Sequence, residues 1–192
     1  MFAKLLAALI ALFAKKPTVA DPLPTYTPTP EPVKRPTSKG AAIGGVAGAA
    51  TIAAIVAFIG PWEGRRYTAY QDIVGVWTIC EGHTKGVKAG DVATDAQCDE
   101  MAAQDVAEHN AGIRACITRP MPQNVEIAFT SLAFNAGVGA FCGSTALRRY
   151  NAGDDTGACD ALNMWVRAGG KVVKGLVNRR AAESALCKKD ST

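Results

Sequence analysis

At 192 residues, 48% of them hydrophobic and 20% charged, the chain has the composition of one globular domain with appendages, which excludes a wholly disordered or wholly membrane-embedded protein. Its formal net charge of +4 is unevenly placed, because residues 1–60 carry six Lys and Arg against Asp21 and Glu31 while residues 61–192 carry fifteen bases and fifteen acids. A charge-balanced C-terminal part argues against nucleic acid as its partner, and a basic N-terminal arm suits the anionic cytoplasmic face of a membrane.

Residues 1–16 contain a ten-residue apolar run between Lys4 and Lys15, too short to cross a bilayer. Lys4, Ala8, Ala11 and Lys15 share one helical face, and Phe2, Leu5, Leu6, Leu9, Leu12 and Phe13 fill the other. The pattern predicts an amphipathic helix lying in the interface. A signal peptide cleaved after Thr18-Val19-Ala20 is the rival reading, and Lys15-Lys16 directly behind the apolar run favours the uncleaved form. Residues 17–39 hold most of the chain's ten prolines, threaded with Thr and Glu, and predict an extended linker.

Residues 40–60 are twenty-one positions without a charge, about 31 Å as a helix at ~1.5 Å per residue, enough for a bilayer. Eight are Ala and five are Gly, leaving four Ile, two Val and one Phe as the strongly apolar residues. Those seven together favour insertion by only about 2–4 kcal/mol before the glycines weaken it. A segment so poorly held can leave the bilayer; a permanent anchor and a helix pair packed through Gly44 and Gly48 are the alternatives. Lys34, Arg35 and Lys39 precede it, so the positive-inside rule keeps the N-terminus cytoplasmic and sends residue 61 onward to the periplasm.

Between Trp62 and Thr84 the chain gathers Glu63, Asp72 and Thr78. Glycoside hydrolysis needs one protonated carboxylic acid at the leaving oxygen and one carboxylate to handle water or the developing cation. Glu63 follows an apolar run beside Trp62, a setting that disfavours its anion and makes it the acid. Asp72 precedes a β-branched and aromatic run, Ile73 to Ile79, with Gly75 inside it, which predicts a hairpin. Thr78 is an even six positions on, so on an unbroken extended run Asp72 and Thr78 would share a face and hold one water, while Glu81 would face away.

Six cysteines, Cys80, Cys98, Cys116, Cys142, Cys159 and Cys187, all follow residue 61. They show no CxxC pair or Cys/His ligand spacing, so the expectation is three disulfides in an oxidising compartment, with the pairing open and no metal. Further on, Thr94-Asp95-Ala96-Gln97 has the capping-box form and starts a helix to about Cys116. Pro120 and Pro122 break the chain and start a helix running to the glycines after Asn135. Asp154 or Asp155 caps a helix carrying Cys159, Leu162 and Trp165, and Val177 to Cys187 closes the chain. Trp165 shares a face with Leu162 and is expected in the core.

Glu63, eight residues, Asp72, five residues and Thr78, with Tyr70 before the Asp and Cys80-x-Gly82-His83-Thr84 after the Thr, resembles the phage-type lysozymes. The likeness continues through Phe134-Asn135-Ala136-Gly137, Ser144-Thr145-Ala146-Leu147, Trp165 and Gly175-Leu176-Val177-x-Arg179-Arg180-x-x-Glu183, over roughly residues 61–187. Within that family the chain is most similar to the signal-anchor-release endolysins. The resemblance implies an α+β, mainly helical lysozyme-like domain with a small β-hairpin lobe over residues 61–192, behind the membrane segment and the Pro-rich linker. It implies a muramidase that cuts peptidoglycan with inversion, needs no cofactor, and works as a monomer once the anchor has left the inner membrane and refolded against the domain. Release by exchange of a cysteine within the anchor is closed here, since residues 40–60 have none.

The same resemblance casts Glu63, Asp72 and Thr78 as catalytic, Asn135, Ser144 and Thr145 as glycan contacts, and His83 as structural, paired with a helix-borne acid. Arg179 and Arg180 are read either as neutralising substrate carboxylates or as a solvated helix face. The alternative from another class is a membrane-tethered protein whose lysozyme-like domain holds glycan without cutting it.

Overall fold

The computed structural model describes residues 48–72 and 74–189. The expectations for residues 1–16, for the linker and for the first part of the 40–60 segment lie outside the described residues. Among the described residues no helix is long and apolar enough to cross a membrane.

The described chain begins with helix α1, Ala49–Ile59. Its Ile55 and Ile59 are buried together with Val106, and Ile52, Val56, Ile127 and Phe134 pack around them. These isoleucines recur at helical spacing, so one stripe goes inward and stabilises the packed state by about 1.5–3 kcal/mol per buried side chain. Ala53 and Ala57 lie on the outside. An alanine costs little in water, so the weak lipophilicity read from the sequence is also what lets this helix sit half-exposed on a protein. A 3₁₀ turn, Gly60–Trp62, with Pro61 in it, ends the helix and delivers Glu63 in extended backbone.

The expected hairpin is formed by β1, Arg66–Gln71, and β2, Trp77–Cys80, antiparallel with Tyr70 opposite Thr78 and Gln71 opposite Trp77. Asp72 closes the turn. Its N–H donates to Val76 O at 2.9 Å, and its Oδ1 accepts from the N–H groups of Val74 at 2.9 Å and Val76 at 2.8 Å. Gly75 supplies the positive φ, 83°, that the turn requires. Ile79 and Cys80 are buried against Ala93 and Cys98, which ties this lobe to the next helix.

That helix, α2, spans Asp95–Arg114 with the reciprocal capping box of Thr94 and Gln97 in place, as the sequence predicts. Helix α3, Gln123–Ala136, starts behind Pro122, stops at Gly137 and is the central element, buried along Ala128, Phe129, Leu132 and Ala133. Around it pack α4, Val138–Cys142, α5, Thr145–Asn151, α6, Asp155–Ala161, and α7, Lys174–Cys187. Phe129 meets Phe141 at 5.1 Å and the edge of Tyr150 at 5.3 Å between ring centroids.

Asp154 caps α6 through Gly157 N–H, and Trp165 packs on the main core. The single helix expected to carry Cys159, Leu162 and Trp165 is instead broken: α6 stops at Ala161, Leu162–Met164 tightens to a 3₁₀ turn, and Trp165 follows it. A second small hairpin, β3, Arg167–Ala168, with β4, Lys171–Val172, was not expected. Gly169 and Gly170, both at positive φ, form its turn, and that dipeptide was the signal available. All six cysteines are paired, Cys80 with Cys98, Cys116 with Cys142 and Cys159 with Cys187.

Candidate active site

Glu63 follows the 3₁₀ turn behind α1 and precedes the hairpin, and its side chain reaches α7. Its Oε1 accepts from Arg179 Nη1 at 2.6 Å, so the apolar setting expected from its sequence neighbours is replaced by an ion pair with a residue on the last helix. Arg179 is itself buried, at 4% side-chain exposure, and its other donors are used: Nε to Glu183 Oε1 at 3.2 Å, and Nη2 to Ser131 O and Oγ at 3.2 and 3.3 Å. Arg180 is fully buried and donates through Nη2 to Glu183 Oε1 at 2.9 Å and to Asn135 Oδ1 at 3.3 Å. Both sequence readings of these arginines give way. They neither face solvent nor await a substrate carboxylate, because α7 turns this face into the core against α3. Burial pushes the Arg180 guanidinium down to about 10 against the pull of Glu183, and pushes the Glu183 carboxyl up against the pull of both arginines.

Beside Glu63 opens a cavity of about 400 Å³, lined by Glu81, Gly82, Thr84 and Lys85 from the end of the hairpin lobe. Asp105, Glu108 and His109 of α2 and Phe134 and Asn135 of α3 complete it, and the His109 and Phe134 rings meet at 5.0 Å. The structure therefore brings Glu63 and Asn135 to one cavity. It also brings Glu81 there, while Thr78, from whose face the alternation turns Glu81 away, is not a lining residue. Residues 81–83 leave the strand at a turn, with Cys80 at φ 55° and Gly82 at φ 110°, so strand parity no longer sets the direction of Glu81. Glu81 accepts from Arg65 Nε at 2.5 Å, and Arg65 also reaches Asp95 at 2.8 Å and Asp99 at 2.6 Å. These three hydrogen bonds, with Asp99 the strongest, hold the Arg65 guanidinium above its ordinary value. The cavity rim carries four carboxylates against Lys85 and His109, and Lys85 is paired with Glu108.

Asp72 and Thr78 are not lining residues of this cavity. The unbroken extended run assumed for them is absent, because the chain reverses between them. Thr78 lies opposite Tyr70 in the hairpin, and Asp72 follows the end of β1 in the turn. Thr78 is buried and donates through Oγ1 to Val76 O at 3.0 Å. Ser144 is buried as the cap of α5, accepting from Leu147 N–H at 3.1 Å, and Thr145 Oγ1 accepts from Arg148 Nη2 at 3.2 Å. Neither lines the Glu63 cavity. His83, as expected, pairs through Nδ1 with Asp105 Oδ2 of α2 at 2.9 Å and locks the hairpin lobe to that helix. Among the described residues the one cluster with metal-ligand atoms close together is Cys80, Glu81 and Cys98, and its two sulfurs are joined to each other.

The signature of the phage lysozyme family matches residues 60–183, from the turn that delivers Glu63 to the buried Glu183, leaving α1 outside the match. The SAR-endolysin of Enterobacteria phage P21 is 44% identical over 126 residues, 65% of this chain and 76% of that protein. The SAR-endolysin of Pseudomonas phage phiKMV is 45% identical over 135 residues, 68% of this chain and 83% of that protein. A variant of P22 lysozyme has the same fold, with a TM-score of 0.65 at 35% identity over 71% of this chain and 96% of that one. With Glu63, Arg179 and the two-lobed cavity all inside the matched span, the chain belongs to the phage lysozyme family and is a glycoside hydrolase of the lysozyme kind.

Proposed function

We propose that the protein is an endolysin, a muramidase that hydrolyses the β-1,4 bond between N-acetylmuramic acid and N-acetylglucosamine in peptidoglycan and so lyses the host cell. One observation carries the reading: the Glu63 carboxylate sits at the wall of a cavity between the hairpin lobe and the helical lobe, held by a buried guanidinium. Glu63 gives its proton to the leaving oxygen. The negative charge created on the acid at that moment meets Arg179, already in place, so no reorganisation is needed to stabilise it. The acidic rim of Glu81, Asp105 and Glu108 favours the oxocarbenium-like cation that develops on the sugar.

Water is the task of Asp72 and Thr78. The Thr78 hydroxyl hydrogen is committed to Val76 O, and Asp72 Oδ1 to two backbone N–H groups, so Thr78 Oγ1 and Asp72 Oδ2 both act towards a water as acceptors. A water donating to both turns its lone pair outward as the nucleophile, which suits inversion. Of the residues expected to contact glycan, Asn135 lines the cavity and serves it there. Purified protein acting on sacculi is expected to release muropeptide-bearing glycans with new N-acetylmuramic acid reducing ends and, at early times, the α anomer. Bound protein with no new reducing ends would instead establish a glycan-holding module.

Residues 40–60 belong to this reading as a signal-anchor-release segment, inserted with the N-terminus cytoplasmic and the enzyme periplasmic, then withdrawn. What supports it is that α1, the latter half of that segment, has one stripe that fits the enzyme and an alanine face that tolerates water. Collapsing the membrane potential of expressing cells is expected to move the protein from the membrane pellet to the soluble periplasmic fraction. Retention in the pellet would make the segment a permanent anchor.

A further inference from the structure

Glu183 is a fully buried charge to which the chemistry above assigns no task. Among the described residues it is the one carboxylate between two buried guanidiniums: its Oε1 accepts from Arg179 Nε at 3.2 Å, Arg180 Nη2 at 2.9 Å and Ser131 Oγ at 2.6 Å, and its Oε2 lies 2.8 Å from Arg180 Nε. The arginines then diverge to two different residues of the cavity wall. Arg179 reaches Glu63 and Arg180 reaches Asn135. Two cations against one buried anion leave a single net positive charge, and Arg179 turns it towards Glu63.

Resting on the reading of Glu63 as the acid, we infer that Glu183 is a positioning residue of the reaction, setting through Arg179 how tightly the acid keeps its proton and through Arg180 which way the Asn135 amide points. The second half follows from donor chemistry. A guanidinium can only donate, so Asn135 must present Oδ1 to Arg180, and its Nδ2 hydrogens are left for an acceptor in the cavity. The part of the substrate beside Asn135 is therefore an acceptor such as an acetamido carbonyl oxygen. The first half is electrostatic. Burial makes each charge of the cluster count for more at Glu63 than a surface charge would.

Other titratable groups line the cavity with Glu63: Glu81 and Lys85 from the hairpin lobe, and Asp105, Glu108 and His109 from α2. Glu81 is bound to Arg65, Lys85 to Glu108 and Asp105 to His83, and substitutions on α7 leave those pairs in place. Changing the α7 cluster therefore isolates its contribution.

The test is the pH profile of kcat/KM of the full-length protein on purified sacculi. Glu183→Gln keeps the shape but leaves two unbalanced cations behind Glu63, so the high-pH limb, where the acid has lost its proton, is expected to move to lower pH by about one unit. Arg180→Gln removes a cation and is expected to move the same limb to higher pH, and to raise KM several-fold as Asn135 loses its orientation. Glu183→Asp should restore most of the wild-type profile. If Glu183→Gln does not fold, the sign of the Arg180→Gln shift decides alone. A limb that stays in place in the folded variants, or moves the same way in both charge-changing ones, makes the cluster merely structural and overturns the inference. The acid assignment would still stand if Glu63→Gln is inactive.

Discussion

Glu63→Gln is expected to reduce hydrolysis of sacculi by about 10²–10⁴-fold, the range that a positioned general acid contributes. That is about 2.7–5.5 kcal/mol of transition-state stabilisation. The effect should fall on kcat, because glutamine has the same shape and can still accept from Arg179 but has no proton to give to the leaving oxygen. Stability should hardly change. Arg179 keeps Glu183 and both oxygens of Ser131, so the fold loses one hydrogen bond's charge assistance, at most about 1 kcal/mol. A reducing-end assay alongside a urea melt checks both halves. Activity within a few-fold of wild type would remove Glu63 from the mechanism, and a collapsed melt would mean that the ion pair is primarily structural.

Reduction of the disulfides is expected to have the largest effect on stability. The three bridges close loops of 18, 26 and 28 residues. In the chain-entropy picture each stabilises the folded state by about 3–3.5 kcal/mol. Together that is comparable with the whole stability of a small domain, about 5–15 kcal/mol. The bridges also hold different parts of the site. Cys80–Cys98 joins the end of the hairpin, next to Glu81, to the start of α2, and Cys159–Cys187 joins α6 to the last residue of α7, the helix that carries Arg179. Thiol-reduced protein should therefore melt far below the oxidised form, lose the near-ultraviolet signal of its packed aromatics, and be inactive. It should regain activity on reoxidation. A reduced protein with an unchanged melting temperature would show that packing alone suffices and would remove the need for an oxidising compartment.

Local signals carried a large part of the fold. The Thr94 capping box, Pro122 before α3, Gly137 after it, the Asp154 cap and Gly75 in the hairpin each act within a few residues of themselves, and each appears where the sequence places it. His83 was legible through the resemblance, which implies a structural histidine paired with a helix-borne acid, and Asp105 of α2 is that acid. The errors arose where a local rule was extended across a break. The helical pattern from Cys159 to Trp165 runs into a 3₁₀ turn, and strand parity stops at Cys80, where the chain turns. The even count from Asp72 to Thr78 likewise assumes an unbroken strand, and the turn that Asp72 closes lies between them.

The amino-acid sequence by itself determined the helical domain with its small hairpin, the even set of cysteines, and the weak apolar segment ending next to an acidic side chain, because each is a matter of composition or short-range spacing. Only the tertiary structure decided which cysteines pair, that the last helix turns Arg179 and Arg180 inward, and that Glu63 meets a guanidinium 116 positions away. A buried charge takes the partner that packing brings within reach of its donors and acceptors, and nothing in the spacing of residues along the chain records that reach.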